Sequence, residues 1–177
     1  MSKNIFLWQL ITAFAISLVT TYPLIAGTET SVDIFQIKRN KNNNRVQYAV
    51  YINAKTCMPR KKKPAHVFWR DLEISPTEIN PLKWYEKPAY GIESQKINGD
   101  ELKLRLTPLP EKLITVKFVK ADSGCEITPF VSINNRQSKL REIYVFAKEG
   151  LFWPTVKWIE IKGMNAQGEH VMEHIDK

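Results

Sequence analysis

Apolar side chains recur at every second position through long stretches of this chain. The pattern is clearest over 45–52, where Val46, Tyr48, Val50 and Ile52 are separated by smaller or more polar residues. Successive side chains of a β-strand point to opposite faces, so a period of two is typical of strands with one buried and one solvated face. Comparable stretches occur at 34–39, 102–106, 114–118, 125–133, 141–147, 155–162 and 169–175.

Helical periodicity is weak throughout the part of the chain after residue 27. The segment 71–84 is the one stretch that could hold a helix, and Pro76 and Pro81 would limit it to a turn or two. Many short strands with short connections are typical of an all-β fold. We therefore expect a single antiparallel β-sandwich or an up-and-down barrel of about eight to ten short strands, and the pattern does not distinguish the two.

Individual residues refine this prediction. Asn98 and Gly99 favour a turn before the strand at 102–106. Pro129 lies inside a candidate strand, which places that strand at an edge or a bulge because proline has no backbone N–H. The run 143–146 is apolar on both faces, which predicts a central strand that is covered on both sides.

Residues 1–27 have the three regions of a secretory signal. Lys3 is the one charged residue, an apolar centre follows, and small residues precede Thr28. We therefore predict a signal peptide over 1–27 and a single all-β domain over 28–177 of an exported protein, periplasmic or secreted. The alternative is a retained N-terminal membrane anchor, because the apolar stretch approaches the roughly 20 residues that a spanning helix needs.

The exported part is basic, which bears on its partners. The whole chain has a formal net charge of +8, and Lys3 is the only charge in the predicted signal. A surplus of about +7 attracts anionic surfaces, and salt weakens that attraction. An anionic envelope component or polysaccharide is an expected partner and a membrane surface is another, whereas we do not expect nucleic acid.

Two cysteines, Cys57 and Cys125, lie in the part of the chain predicted to be exported. Oxidation is permitted outside the cytoplasm, and two cysteines allow one intramolecular pairing. We predict that they form a disulfide. The alternative is a pair of separate buried thiols, which behave as small apolar residues.

A basic run is the first candidate binding feature. Arg60, Lys61, Lys62 and Lys63 stand between two prolines, which disfavour regular structure. This run could be a loop that docks on anions. It could equally be a solvated surface loop, which is the commoner role of such a charge run.

Aromatic residues near the middle of the chain form the second candidate. Trp69, Tyr85 and Tyr90 belong to this group, and large rings in an all-β domain usually fill the core. The segment 84–91 differs because Pro88 and Gly91 favour a loop, where binding residues are commonly found. We predict that Trp69, Tyr85 and Tyr90 contribute to binding.

Catalytic and metal-binding motifs have little support, and we assign no catalytic residue, metal or cofactor. The letters H-x-x-E-H occur at 170–174, but the segment is typical of a strand, which would separate His170 and His174 by about 13 Å. His66 is the one candidate base inside the domain. If 66–69 is a strand, His66 and Phe68 share a face and the histidine is a packed residue.

Three stretches together resemble a known family. They are the set Phe35, Ile37, Arg39, Asn40, Asn42 and Asn44 followed by Val46 and Tyr48, then Val67 and Trp69, then Lys87, Pro88, Ala89, Tyr90 and Gly91. The chain resembles a bacterial family of exported proteins known as domain of unknown function 4833. The resemblance implies one exported β-rich domain, and it implies no catalytic residue.

Three functions remain open from the sequence. The first is a noncatalytic exported domain that binds an anionic or carbohydrate partner in the cell envelope or medium. The second is a barrel that carries a small apolar ligand. The third is an envelope hydrolase that uses His66 with a nearby carboxylate, for which the two groups would need to lie within about 3 Å in an open cleft.

Overall fold

The computed structural model of the protein describes residues 28–40, 44–148 and 155–177, so the predicted signal peptide lies outside it. The described part is almost entirely β, as predicted. Its elements are β1 (Glu29–Arg39), β2 (Arg45–Asn53), β3 (Ala65–Asp71), β4 (Ser75–Pro81), α1 (Lys87–Tyr90), β5 (Ile92–Asn98), β6 (Glu101–Leu106), β7 (Leu109–Ala121), β8 (Gly124–Ile133), β9 (Arg136–Lys148), β10 (Thr155–Met164) and β11 (His170–Asp176).

The strands belong to one hydrogen-bonded sheet in the order β4-β3-β2-β1-β9-β8-β7-β6-β5, with β10 and β11 branching from β9. The sheet forks at β9, because residues 142–145 of β9 pair with β1 while residues 136–139 pair with β8. The β1–β9 pair is parallel and the other pairs are antiparallel, so the predicted antiparallel arrangement holds except at this junction.

The sheet is open, since its order ends at β4 on one side and at β5 on the other. The prediction of a closed up-and-down barrel therefore does not describe the part of the chain that the structure covers. That part has eleven strands, one more than the upper end of the predicted range. The sequences of β4 and β5 show no strong alternation of apolar residues, so the pattern did not indicate these two strands.

Residues 71–84, the one stretch that the sequence allowed to hold a turn or two of helix, contain no helix. They contain the end of β3 and all of β4, which is an edge strand of the sheet. Pro76 and Pro81 are compatible with this position because an edge strand has one side without ladder hydrogen bonds. Among the described residues the one helix is the single turn α1, which follows this hairpin.

One apolar core joins the two halves of the sheet. Val46, Tyr48 and Val50 of β2 belong to the same packed cluster as Leu104 of β6 and Val116 of β7, although these strands are far apart in the sheet order. The sheet must therefore fold over so that the apolar face of the half with β1–β4 meets the apolar face of the half with β5–β8. All five side chains are at most 1% exposed, which accounts for the period of two in the sequence.

The turn predicted at Asn98 and Gly99 is present between β5 and β6. Gly99 has a φ of 62° in the β5–β6 turn, and Asn134 and Asn135 have φ of 49° and 62° in the β8–β9 turn, a conformation that glycine and asparagine tolerate best. β8 is not an edge strand, contrary to the prediction from Pro129, because it lies between β7 and β9. Pro129 precedes the residues that pair with β9, so its missing N–H lies where β8 has one open side.

The strand β9 is central, as predicted, but no second layer formed by the described residues covers its outer face. Tyr144 and Phe146 are partly exposed there, and both stack against Trp158 of β10. The Phe146 and Trp158 rings are nearly parallel, with centroids 5.0 Å apart. Neighbouring rings of the same sheet thus shield each other, which accounts for the apolar residues on both faces of 143–146.

The predicted disulfide is present between Cys57 and Cys125, whose Cα atoms are 5.4 Å apart. Cys57 follows β2 and Cys125 lies in β8, so the bond connects the two halves of the folded sheet.

Within the described residues no helix is long and apolar enough to cross a membrane.

Reduction should destabilise this protein, because the bond closes a loop with a sequence separation of 68 residues. We expect the free energy of unfolding in urea to fall by up to about 4 kcal/mol. The double variant Cys57→Ala, Cys125→Ala serves as the control and should not respond to reductant. Two thiols that react with an alkylating agent in the native, unreduced protein would contradict the disulfide.

Candidate functional site

A surface cleft of about 810 Å³ lies where the end of β1, the start of β2, the β3–β4 hairpin and the segment 81–90 meet. The β-sheet register explains the convergence. Ile37 of β1 pairs with Val46 of β2, and Val46 pairs with Trp69 of β3. The cleft is lined by the aromatic residues Trp69, Trp84, Tyr85 and Tyr90 and by the polar residues Arg39, Asn44, Asp71, Asn80, Lys83 and Glu86.

Local hydrogen bonds shape the wall formed by the loop and α1. The Glu86 carboxylate accepts a hydrogen bond from the Lys83 backbone N–H at 2.7 Å, and the Glu86 carbonyl accepts from the N–H groups of Ala89 and Tyr90 at 3.0 Å. Pro88 stands in the first turn of α1, where a missing N–H is tolerated. The sequence around Pro88 therefore forms a compact turn that holds Tyr90 in place.

Tyr90 is the link between this wall and the core. Its carbonyl accepts a 2.6 Å hydrogen bond from the Tyr48 hydroxyl. Burial, with a smaller contribution from Tyr90, raises the pKa of Tyr48 well above its usual value, so the hydroxyl stays protonated and able to donate. The Tyr90 ring meets the Trp69 ring edge to face, with centroids 5.1 Å apart. Trp69 and Tyr90 thus form a fixed aromatic floor.

The opposite side of the cleft is more exposed. Trp84 is 79% exposed, which is unusual for a large apolar side chain, and Tyr85 is 41% exposed. The two rings meet edge to face with centroids 5.8 Å apart, and the Lys83 ammonium lies 5.9 Å from the Tyr85 centroid. Large exposed rings beside a cleft are typical of recognition surfaces.

Three buried polar atoms at the cleft have no hydrogen-bond partner among the residues that the structure describes. They are Arg39 Nε, Asn44 Oδ1 and Trp69 Nε1. The Arg39 guanidinium carbon lies 5.0 Å from the Trp69 ring centroid, so these two donors are neighbours. Leaving a buried polar group unpaired costs about 1–3 kcal/mol, and such groups in a native protein call for an explanation.

The charges that line the cleft are balanced. Arg39 and Lys83 are cationic, and Asp71 and Glu86 are anionic. Asp71 Oδ1 accepts backbone hydrogen bonds from two residues of the β3–β4 turn at 3.0 and 3.2 Å, so this carboxylate serves the turn. The arrangement offers aromatic surfaces and several hydrogen-bonding groups without a strong net field, which suits a neutral polar ligand.

The structure brings Trp69, Tyr85 and Tyr90 together, three of the residues predicted for binding. It does not bring Arg60–Lys63 to the same place. Val46, which pairs with Trp69, and Tyr51, whose carbonyl accepts from the Arg60 N–H, are separated by about 17 Å of extended strand. The aromatic and basic features are therefore two distinct surfaces.

Arg60 stabilises the basic loop itself. Its guanidinium donates to the carbonyls of Lys62 and Lys63 at 2.9 and 2.8 Å, and its Cζ lies 4.0 Å from the Tyr51 ring centroid. It also pairs with Glu29 at 3.6 Å. Lys61, Lys62 and Lys63 are exposed. Of the four residues, Arg60 thus has a clear structural role, and the three lysines present their charge to solvent.

His66 lies on the outer face of β3, away from the cleft. Its ring stacks on Tyr51 and Phe68 at centroid distances of 4.2 and 5.4 Å, as expected if His66 and Phe68 share a face. Burial first, and the Arg60 charge second, lower the pKa of His66 against the opposing effect of Asp33, so the ring is neutral at pH 7.

The hydrogen bonds of His66 do not include the carboxylate partner that the hydrolase hypothesis requires. His66 Nε2 lies 3.3 Å from Ser31 Oγ, but Nδ1 has no partner within the described ranges to orient the ring. The carboxylate of Asp33 is paired with Arg70 at 3.0 Å.

The H-x-x-E-H segment is strand β11, as the sequence pattern predicted. Its central Glu173 accepts two hydrogen bonds from Lys112 at 2.6 and 2.7 Å and one from the Asn134 N–H at 2.8 Å. This carboxylate fixes β11 against the β8–β9 turn. No group of three or more potential ligands that could hold a metal ion occurs in the part of the chain that the structure covers.

Sequence reasoning missed Arg39, Asn44 and Asn80 as residues of the cleft. Arg39 and Asn44 lie at the two ends of the segment that connects β1 and β2, and in the sequence they contributed only to the family resemblance. Nothing in the local sequence marked either residue for binding, because the register of the strands brings them to Trp69. Asn80 lies on β4, opposite Trp69, in the segment that the sequence allowed to hold a turn or two of helix.

Gly91 sets the position of α1, and replacing it should disturb the cleft. A Cβ atom there would lie 2.4 Å from the Lys87 carbonyl oxygen, a backbone atom that cannot move alone. We expect Gly91→Ala to lower the free energy of unfolding by about 1–3 kcal/mol. The exposed Ser94→Ala, three residues away, is the control and should change it by less than about 0.5 kcal/mol. Equal stabilities in urea unfolding would contradict the steric argument.

Comparisons with known proteins give one finding. No curated protein and no solved structure matches the chain. The model of the family described as Domain of unknown function (DUF4833) matches residues 35–174, a range that contains all residues of the cleft. This match covers well over half of the chain and confirms the resemblance noted in the sequence, so the protein belongs to the DUF4833 family.

Proposed function

We propose that this protein is a noncatalytic exported domain that binds a carbohydrate chain of the cell envelope or medium in the aromatic cleft. The observation that carries the proposal is the combination of four aromatic rings with amide and charged side chains around one open cleft. Its volume of about 810 Å³ falls in the roughly 300–1,000 Å³ range of small-molecule sites.

The chemistry of the cleft matches both surfaces of a sugar. A sugar ring has faces rich in C–H groups, which can pack on aromatic rings such as Trp84 and Tyr90. Its hydroxyl groups both donate and accept hydrogen bonds, so the side chains of Asn44, Asn80 and Arg39 are suitable partners. Because Trp84 is exposed and Trp69 is fixed, the cleft combines an accessible ring with a preformed floor.

The other two functions receive less support from the geometry. A carrier would need an apolar cavity, but the core positions are filled by side chains such as Tyr48, Leu104 and Ile114, each with 0% exposure, and the cleft lies at the surface. A hydrolase based on His66 would need an oriented base in an open cleft, whereas that ring is stacked between two aromatic rings on another face.

Export is part of the proposal. It is supported by the signal-like composition of residues 1–27 and by the disulfide between Cys57 and Cys125, because such bonds persist mainly outside the reducing cytoplasm.

Loss of the exposed ring should abolish most of the binding without harming the fold. We expect Trp84→Ala to weaken retention on insoluble envelope polysaccharide by about tenfold, since a central aromatic anchor contributes on the order of 1–2 kcal/mol or more. Thermal unfolding should remain close to that of the native protein because the Trp84 side chain is 79% exposed.

The control for this experiment is Trp158→Phe, which changes a tryptophan outside the cleft and keeps a ring in its stack with Phe146. This variant should be retained like the native protein. Native retention of Trp84→Ala, or an equal loss in both variants, would exclude the cleft as the binding site.

The basic loop is proposed as a second, separate docking site for anionic envelope components, including anionic lipid. The specific observation is that Lys61, Lys62 and Lys63 are all exposed side by side, while Arg60 holds the loop that presents them. Adjacent cations reinforce one another in attracting an anionic surface, and salt screens that attraction.

Replacing Lys61, Lys62 and Lys63 by serine should reduce binding to vesicles that contain anionic phospholipid, and the reduction should vanish at high salt. The control replaces Lys96, Lys120 and Lys157, which are exposed elsewhere and give the same change of net charge. The loop variant should lose more binding than the control. Equal losses would show that only the total charge matters, and no loss would exclude the loop.

A further inference from the structure

We propose that the cleft selects sugars that carry an acetamido group, such as N-acetylated hexosamines. This inference rests on the proposed carbohydrate function and makes it more specific. It starts from the three unpartnered polar atoms at the cleft, Arg39 Nε, Asn44 Oδ1 and Trp69 Nε1, which lack partners within the described residues.

These atoms define a pattern of hydrogen bonding. Arg39 Nε and Trp69 Nε1 are donors only, and Asn44 Oδ1 is an acceptor. They lie at one end of the sheet, because Arg39 and Asn44 are each two residues beyond the Ile37–Val46 pair and Trp69 pairs with Val46. A ligand that satisfies all three must present an acceptor to the two donors and a separate donor to Asn44.

An acetamido group has this combination. Its carbonyl oxygen has two lone pairs and can accept from both Arg39 and Trp69, and its N–H can donate to Asn44. Its methyl group is apolar and would meet the Trp69 and Tyr90 rings, which form the floor of the cleft. Satisfying buried groups that are otherwise unpaired gives a larger gain than adding hydrogen bonds at a solvated surface.

Other sugar substituents fit less well. A free amine is a cation that only donates hydrogen bonds, so it cannot accept from Arg39 Nε or Trp69 Nε1. Its positive charge would also lie near the Arg39 guanidinium. A carboxylate can accept from both donors, but it provides no N–H for Asn44. It would also add a negative charge to a lining in which Arg39 and Lys83 are already balanced by Asp71 and Glu86.

A peptide also contains amide groups, but the edge of the sheet does not favour it. An extended peptide gains most of its affinity by pairing with an exposed strand. The edge strand beside the cleft is β4, in which Pro76 and Pro81 supply no backbone N–H. A glycan, which needs no strand partner, is therefore the better match.

The test compares defined trisaccharides by titration of intrinsic tryptophan fluorescence on the chain from residue 28 onward, with its disulfide intact. The probes are the trimers of N-acetylglucosamine, glucosamine, glucose and galacturonic acid, with a proline-free extended peptide as a fifth ligand. We expect the acetylated trimer to bind at least about tenfold more tightly than each of the others, because only the acetamido group combines an acceptor and a separate N–H donor with a methyl group that packs on the aromatic floor.

The outcomes separate the two proposals. Equal binding of acetylated and plain glucose trimers would overturn the acetamido preference and leave the carbohydrate proposal standing. Tighter binding of the galacturonate trimer would also overturn it. Binding of the peptide alone, or of no probe, would overturn both proposals.

The variant Trp69→Phe tests the proposed contact directly, since it keeps a ring and removes the indole N–H. We expect the preference for the acetylated trimer over the glucose trimer to fall about fivefold, the effect of one neutral hydrogen bond. Trp158→Phe, outside the cleft, should leave the preference unchanged. If Trp69→Phe does not fold, Asn44→Leu is measured in its place with the same expectation. An unchanged preference in a folded variant would overturn the assignment of these atoms.

Discussion

The hydrogen bond from the Tyr48 hydroxyl to the Tyr90 carbonyl connects the core of this protein to its cleft. Tyr48 is completely buried and stacks on Phe35 with ring centroids 4.5 Å apart, so its position is fixed by packing. A buried hydroxyl needs a partner, and the single turn of α1 supplies one. The consequence is that a short loop, which could not be stable alone, holds the aromatic floor of the cleft in a defined place.

A second constraint lies at the fork in β9. The register shifts near residue 141, because Lys162 pairs with Glu142 and the next residue, Gly163, pairs with Leu140. This bulge changes which side chains face the core, from Ser138 and Leu140 before it to Ile143 and Val145 after it. The same strand can therefore contribute to both halves of the sheet. A Cβ on Gly163 would lie 2.4 Å from the Lys139 carbonyl, which shows how closely the strands approach there.

The alternating pattern was sufficient to predict β2, β6 and β7, since alternation is a local property of each strand. It could not predict the parallel β1–β9 pair, which joins residues more than 100 positions apart. The pattern does not indicate β4, because its sequence lacks alternating apolar residues and contains Pro76 and Pro81, although proline is tolerated at a sheet edge.

The cleft was partly predictable for a related reason. Tyr85 and Tyr90 lie close together in a proline- and glycine-containing segment, so their role on a loop could be inferred from sequence. Arg39 ends β1, and Asn44 directly precedes β2. Only the pairing register of β1, β2 and β3 brings these two residues to Trp69. Residues that converge through long-range pairing leave no local signal in a single sequence.

Three of the five buried side-chain atoms that have no hydrogen-bond partner among the described residues belong to residues of the cleft, and the other two are His66 Nδ1 and Arg70 Nε. Gln47 is buried within the sheet, and its amide donates to the Phe35 carbonyl at 2.9 Å, so a polar group in that environment has a partner. At the cleft, by contrast, Arg39, Asn44 and Trp69 each keep one buried atom without a partner in the described part of the chain. Proteins tend to depart from complete hydrogen bonding where they bind something, because the ligand restores the missing partner. On our proposal, the same three residues lower the stability of the unliganded domain and select the ligand that can stabilise it.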